Sequence, residues 1–417
     1  MHSVLLVSCF LPTTWIVDAA SGPGTNYIDL PPAIAIAQNG DTILVRAGTY
    51  TGFTVSGKAL TIRGEGVATT VVWSTTIANV PSGQLFLVSG IAFVPQPFTF
   101  AQTLQITGPG NVSLADCRAT GGTARDALHL SGATVHAARC RFEGGPSNGG
   151  QNGYGGAGAR VGPGNLAAMA CEFRGGSAAV GSGFAFGGIG LGTGSAAVNL
   201  SNCICIGGSA GPSVFGSPQG GDALGASSGT VRVSGGPLAL VQGGAAANFG
   251  GPVPLQSGVS LNNSGTALVL VHSGVSVLPA MAGVPPTQGA ISLGVSPLPF
   301  LLVNGATLPS GETAAQQPVA VTFFGLFANS PYAFIVGLQP AISAASPMAL
   351  GEQLVALPNA GLTFGVLNSG GVFSFTFTPA ALMPGFLGVP LFTQAASFDV
   401  AAMQVRMSNC DVRLFGL

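Results

Sequence analysis

Charge is scarce in this chain of 417 residues. Charged residues make up 6% of the sequence, with one lysine, Lys58, and a formal net charge of −1. Proteins that bind nucleic acid through its phosphates depend on clustered lysine and arginine, so the composition argues against a nucleic-acid partner. Disorder is also excluded, because it requires low hydrophobicity with high net charge and hydrophobic residues reach 47% here.

Long apolar runs and paired-cysteine motifs are missing as well. Beyond the N-terminus no run of about 18 apolar residues occurs, so we expect no membrane-spanning helix. The seven cysteines form neither a Cys-x-x-Cys pair nor the Cys/His spacing of a zinc site. We therefore expect no bound metal and no other cofactor.

The first 20 residues allow two interpretations. The apolar run Val4–Leu11 resembles the core of a secretory signal, although no Lys or Arg precedes it and no clear cleavage site follows. Residues 1–20 would then be a signal segment that is defective or truncated at its start, and the protein would be secreted or held at the cell surface. In the other interpretation, residues 4–17 form an ordinary N-terminal strand.

Glycine is abundant, with 66 residues, and some of the glycines recur at regular intervals. The phrase Cys-x-x-x-Gly-Gly begins at Cys117, Cys140, Cys171 and Cys203, at spacings of 23, 31 and 32 residues. A near-constant period of this length indicates a repeat architecture. Each repeat is a short alternating segment that ends at Gly-Gly, which is typical of a strand followed by a corner. Stacked coils of parallel strands, a parallel β-helix, fit this pattern.

In such a stack the four cysteines form an internal ladder with rungs about 4.8 Å apart. Two states of the ladder remain open: free thiols packed as small apolar groups, or disulfides between adjacent rungs. The uneven spacing predicts insertions at one corner of the coil. The largest is the glycine-rich stretch 144–158.

The N-terminal region carries a family resemblance. Asp29 can cap a short helix over residues 30–38 whose first turn contains Pro31 and Pro32. The phrase Ile34-Ala…Gly40-Asp-Thr-Ile-Leu-Val-Arg-Ala-Gly-Thr-Tyr50, followed by Leu60-Thr-Ile-Arg-Gly64, resembles the opening of secreted bacterial right-handed parallel β-helix proteins of the pectin-lyase-like superfamily. The resemblance implies an N-terminal cap and first coil, and it does not specify an activity.

The sequence pattern changes near residue 298. Phrases rich in Phe and Val appear, such as Val372-Phe-Ser-Phe-Thr-Phe, whose strict alternation predicts a half-buried antiparallel strand. We therefore predict an all-β protein: a right-handed parallel β-helix with its cap over residues 21–290, and a smaller antiparallel β-sandwich over residues 298–417. The latter resembles modules that follow repeats in large secreted bacterial proteins.

Charged side chains in the repeat region fall at odd offsets from the cysteines, so they face outward if the cysteines face inward. Neighbouring coils would pair Asp116 with Arg139, Arg141 with Glu172, and Glu143 with Arg174. These pairs are cross-strand ladders in one interpretation. In the other they form a groove for a glycan or Ca²⁺, whose binding candidates are Arg118, Arg139, Arg141, Glu143, Glu172 and Arg174.

No catalytic signature of the superfamily's hydrolases occurs, so we assign no catalytic residue. The favoured function is a secreted or cell-surface, non-catalytic β-helix protein with a structural, adhesion or carbohydrate-binding role. One alternative is a polysaccharide lyase or glycoside hydrolase, with Ca²⁺ as cofactor only in the lyase case. Another is a self-assembling matrix component. Expected partners are polysaccharides, other surface proteins or copies of the same chain.

Overall fold

A computed structural model describes the following residues: 12–97, 101–147, 152–179, 184–212, 217–236, 238–247, 256–281, 283–295, 300–305, 313–314, 319–325, 329–337, 340–344, 349–350, 352–355, 360–369, 372–377, 391–400, 403–413 and 415–416. The apolar run at residues 4–11 and part of the glycine-rich stretch, 148–151, lie outside them.

Three parallel sheets, here called A, B and C, run the length of residues 14–295 and form a right-handed β-helix. Sheet A contains Thr14–Val17, Thr42–Val45, Thr61–Gly64, Leu85–Ser89, Asn111–Ala115, Thr134–Ala138, Gly164–Met169, Ala196–Ser201, Gly229–Ser234, Leu268–His272 and Ile291–Val295. Sheet B contains Gly48–Tyr50, Thr70–Val72, Ala92–Phe93, Arg118–Thr120, Arg141–Glu143, Glu172–Arg174, Ile204–Ile206, Leu240–Gln242 and Ser276–Leu278. Sheet C contains Thr54–Ser56, Thr75–Ala78, Leu104–Thr107, Leu128–Ser131, Ala159–Val161, Leu191–Thr193, Leu224–Ala226, Leu261–Asn263 and Thr287–Gln288.

The strands stack in register, so each column of side chains has a single orientation. In sheet B, Phe142 lies in register with Phe173, and their rings stack at 5.4 Å inside the coil. In sheet C the inward column runs through Leu128, Ala159 and Leu191. All of these side chains are buried. The predicted alternation between core and surface is therefore confirmed, and it supplies one continuous apolar core.

The N-terminal end of the stack is closed by the helix Leu30–Ile36, as the sequence predicts. The Asp29 carboxylate caps it by accepting a hydrogen bond of 2.8 Å from the backbone N–H of Leu30. Leu30, Ala33 and Ile34 are buried against the first coils. Thr14–Val17 pairs in parallel with Thr42–Val45, so this part of residues 1–20 is the first strand of sheet A.

The corner between sheets A and B is tight and holds the cysteine ladder. Its first residue has a left-handed backbone in four successive coils: Asp116, Arg139, Ala170 and Asn202, with φ between 50° and 54°. The next residue in each coil is the repeat cysteine. These cysteines are buried and free, and the Sγ of Cys140 donates to the carbonyl of Ala138 at 3.3 Å. The inward ladder is confirmed, in its thiol form.

The corner between sheets B and C carries the insertions, as predicted. Glycine pairs flank the insertions, such as Gly175-Gly176 before one of them and Gly187-Gly188 after it. These glycines bond to one another within a corner and between coils: the N–H of Gly188 donates to the carbonyl of Gly176 at the same corner, and the N–H of Gly176 donates to the carbonyl of Gly156 in the preceding coil, both at 2.8 Å. The inserted loops stack too, because Asn152–Tyr154 pairs in parallel with Phe184–Phe186.

Beyond residue 299 the strands are mostly antiparallel, as expected. A three-stranded sheet contains Phe300–Gly305, Val319–Phe324 and Val372–Phe377, and a five-stranded sheet contains Pro331–Gly337, Ala349–Leu350, Ala360–Val366, Leu391–Asp399 and Gln404–Arg413. Thr313–Ala314 pairs with Phe415–Gly416, and Pro340–Ala344 pairs with Glu352–Val355. The two larger sheets share a core that includes Phe323, Phe334 and Ala395.

The five-stranded sheet packs on the outer face of sheet A. Phe392, Ala396 and Met407 form a buried cluster with Ala138. In the middle coils, residues of sheet A that point away from the coil interior are therefore covered: Ser113, His136 and Ala167, which share one register row, are all buried.

Candidate binding grooves on sheets B and C

Five of the six predicted binding residues lie together on the outer face of sheet B. Arg141 binds Glu143 at 2.9 Å and approaches Glu172 at 3.7 Å. Arg118 approaches Glu143 at 3.7 Å, and Arg174 pairs with Glu172 on its own strand. The side chains are part-exposed, so they form one surface ion-pair network that spans three coils.

Two details differ from the sequence prediction. Arg139 does not share this face: it lies at the corner between sheets A and B, where it binds Asp116 at 2.7 Å as predicted. Glu143 faces Arg174 in register, but its described ion pairs go to Arg118 and Arg141. Long arginine side chains reach residues two positions along their own strand, and alternation alone does not rank that contact against the cross-strand one.

A groove that the sequence analysis missed lies on the outer face of sheet C. It has a volume of about 520 Å³ and extends over five coils, from His129 to Asn262. Gly192 and Gly225 are the central residues of two adjacent strands and form its floor, and Ile189 lines one side. The groove therefore runs along the helix axis, across successive rungs of the sheet.

Two aspartates make equivalent hydrogen bonds along this groove, each to residues of the next coil. Asp126 accepts the backbone N–H of Ala157 at 2.8 Å and the Nε of Arg160 at 2.9 Å, both from the next coil. Asp222 likewise accepts the N–H of Val259 at 2.9 Å and the side-chain amide of Asn262 at 2.7 Å. Each aspartate ties one coil to the next and positions a polar side chain at one end of the floor.

A second groove, of about 360 Å³, runs beside the first and shares Arg160, Ile189 and Asp222 with it. Its floor consists of the paired glycines of the B–C corner. Its far wall consists of the stacked loops, where Tyr154 and Phe186 stack with ring centroids 4.8 Å apart. Tyr154 is 57% exposed. Gln219 continues this wall in the next coil, in a bridge with Phe186.

A sequence signal for these grooves existed. Asp-Ala-Leu occurs at residues 126–128 and again at 222–224, directly before strands of sheet C. The repeat analysis was aligned on cysteine and glycine, so it did not show that each of these aspartates reaches into the following coil.

The arrangement of acids does not suit two-carboxylate hydrolysis. Asp126 and Asp222 are three rungs apart in the register of sheet C, which is about 14 Å. Glycosidases place their two carboxyl groups roughly 5 to 9.5 Å apart. Both aspartates are engaged by the next coil, and Glu143 and Glu172 are tied into arginine pairs. Within the described residues, no group of three or more His, Cys, Asp or Glu side chains is placed to hold a metal ion.

Comparisons with known proteins assign this chain neither a family nor an activity. No family model matches the chain, and no curated protein matches it. Among solved structures, a pectin methylesterase from Erwinia chrysanthemi is similar at 14% identity over 54% of this chain and 81% of its own, with a TM-score of 0.31. A pectin methylesterase from Aspergillus niger is similar at 12% identity over 68% and 91%, with a TM-score of 0.34. Such values assign no activity. The strand register itself defines the class: a right-handed parallel β-helix, followed by small antiparallel sheets.

Among the described residues, no helix has the length and apolar character needed to cross a membrane.

Proposed function

We propose that this chain is a secreted or cell-surface protein that binds a polysaccharide lengthwise along the grooves of sheet C, without cleaving it. The observation that carries the proposal is the pair of parallel open grooves over successive coils. Coils repeat every 4.8 Å or so, which is close to the advance of one sugar unit along an extended polysaccharide. A surface with this period can offer similar contacts to consecutive sugar units.

The chemistry of the grooves supports the same ligand class. Tyr154 and Phe186 supply an aromatic wall, and the hydroxyl group of Tyr154 adds a hydrogen-bonding group at its surface. Arg160, Asp222 and Asn262 supply hydrogen-bonding groups held in place by the contacts between coils. A sugar ring presents apolar C–H groups on its faces and hydroxyl groups at its edge. A groove that combines aromatic and hydrogen-bonding side chains therefore suits it.

The test is a binding and cleavage assay with purified protein on a panel of acidic and neutral polysaccharides, in Ca²⁺ and in chelator. We expect retention by at least one polymer, no chain cleavage, and a loss of affinity of roughly tenfold in Tyr154→Ala. The matched control is Phe364→Ala, another exposed aromatic, on the five-stranded sheet. Cleavage of any polymer would replace the proposal with the lyase or hydrolase alternative.

The ion-pair network of sheet B is the competing site. The variant Arg141→Ala removes the residue that links Glu143 to Glu172. If the polysaccharide binds at sheet C, this variant keeps full affinity. If affinity falls in Arg141→Ala and survives in Tyr154→Ala, the ligand binds the face predicted from sequence instead.

A further inference from the structure

The central outward-facing column of sheet C contains two glycines in the middle of the groove, between long polar side chains. In register it runs through Gln105, His129, Arg160, Gly192, Gly225, Asn262 and Gln288. Long polar side chains stand on both sides of two consecutive glycines. The outer surface therefore has a gap one side chain deep, bounded by Arg160 at one end and Asn262 at the other.

Neither glycine is required by the backbone or by packing. Neither has a left-handed φ. A Cβ on Gly192 would have the Cγ2 of Ile189 as its nearest neighbour at 3.9 Å, and a Cβ on Gly225 would meet the Cδ1 of Ile189 at 3.7 Å. Both are ordinary contacts. Glycine inside a strand weakens it and often marks a place where a ligand approaches closely.

The ends of the gap are fixed. Arg160 is held by Asp126, and Asn262 is held by Asp222, each across one coil boundary. The Cα atoms of Arg160 and Asn262 are three rungs apart, about 14 Å. The gap is thus a rigid recess rather than a space that neighbouring side chains fill by turning.

From these observations, and resting on the proposed function, we infer that the groove is specific for a polysaccharide with side groups, and that the recess over Gly192 and Gly225 receives one of them. An unsubstituted chain of even thickness that lies along the axis would rest on Arg160 and Asn262 and leave the recess unfilled. A single sugar branch that projects toward the sheet fills it, with its apolar face near Ile189 and its hydroxyl groups near the polar ends.

The test uses pairs of polymers with the same backbone, substituted and unsubstituted: xyloglucan against unbranched β-1,4-glucan oligosaccharides, galactomannan against mannan, and arabinoxylan against xylan. Affinity is measured by titration calorimetry on the full chain. We expect at least a tenfold preference for the substituted member of one pair.

The variants Gly192→Val and Gly225→Val place a side chain in the recess, and Gly225→Ala is a milder version. They should abolish the preference for the substituted member, because the side group can no longer enter the recess. Ser276→Val, an outward strand residue of sheet B, is the matched control and should keep it. Melting temperatures identify any variant that fails to fold.

Equal affinity for both members of every pair, or a preference that persists in the filled variants, overturns the inference and leaves the groove as a general polysaccharide site. Absence of binding to every polymer overturns the proposed function and the inference with it.

Discussion

At the scale of single residues, the corner between sheets A and B is under backbone strain in some coils and not in others. Asp116 and Asn202 tolerate the left-handed region because their short polar side chains can hydrogen-bond locally. The Asn202 side chain is also engaged by the next coil, since its Oδ1 accepts the N–H of Gly236 at 2.8 Å. Ala170 has the same φ and no such group. A left-handed residue with a Cβ costs roughly 1–2 kcal/mol.

We therefore expect Ala170→Asn to stabilise the protein. The Asn side chain would reproduce the contact of Asn202 one coil earlier, and the gain in free energy of unfolding should be about 1 kcal/mol. Urea unfolding of both proteins measures it. Ala170→Val is the opposite control, because a β-branched residue is least tolerated at positive φ. An Asn variant no more stable than the Val variant would contradict the explanation.

The cysteine ladder allows a second prediction at this scale. Burial raises the pKa of the Cys117, Cys140 and Cys171 thiols well above the ordinary value. The thiolate is the reactive form, so these cysteines should resist alkylation at pH 8 in the native protein and react at once in denaturant. Mass mapping of the labelled sites checks this for each residue. Rapid native labelling of Cys140, or a disulfide between adjacent rungs, would be the contrary result.

At the scale of elements, the paired glycines of the B–C corner are dictated by close packing of backbone on backbone. A Cβ on Gly208 would lie far inside contact distance of the Gly176 carbonyl oxygen and 2.7 Å from the backbone nitrogen of Gly188. Backbone cannot give way as a flexible side chain can. We expect Gly208→Ala to lower the melting temperature by several degrees, corresponding to about 2 kcal/mol or more.

Gly225→Ala is the matched change, because its Cβ enters open space beside Ile189. Its melting temperature should stay within about a degree of the parent or rise slightly, since glycine in a strand is less favourable than alanine. Differential scanning calorimetry compares the two variants. Equal effects at Gly208 and Gly225 would mean that glycine at the corner is not explained by crowding.

These elements also show what sequence alone could reveal. The spacing of Cys117, Cys140, Cys171 and Cys203 defined the coils, because a column that repeats inside a solenoid must repeat in the chain. The helix cap at Asp29 could be predicted from the residues next to it in the sequence. The contact from Asp126 to Arg160 was not, because it joins residues 34 positions apart and their spacing depends on the length of an insertion that differs in every coil.

At the scale of the whole molecule, the five-stranded sheet turns an outer face of the β-helix into an interface. The outward residues Ala115, Ala138 and Ala167 are small and apolar, which in retrospect signals a covered face. Alternation along the strand places His136 on the outside of the coil, and it lies there. Alternation distinguishes the inside of the coil from its outside, but it does not show whether another part of the chain packs on the outside.

Covering His136 should make the stability of the protein depend on pH. The imidazole lies edge-on to Phe392, with ring centroids 5.9 Å apart and 75° between planes, and its Nε2 has no hydrogen-bond partner among the described residues. Burial lowers the pKa of His136 from 6.5 to about 3. The folded protein therefore holds this histidine neutral, whereas the unfolded chain takes up a proton as the pH falls below about 6.5.

The direction of the effect follows from this difference. The stability that depends on neutral His136 is fully present above pH 6.5, and it is lost progressively as the pH falls toward 3. Between pH 7 and 4.5 the loss is about 2.5 kcal/mol. Urea unfolding across this range should show that slope. His136→Leu should remove it, because an apolar side chain fills the site without titrating, whereas Met407→Leu, a conservative change in the same interface, should keep it. If His136→Leu retains the full slope, other groups cause the acid sensitivity and the five-stranded sheet does not shield this histidine from water.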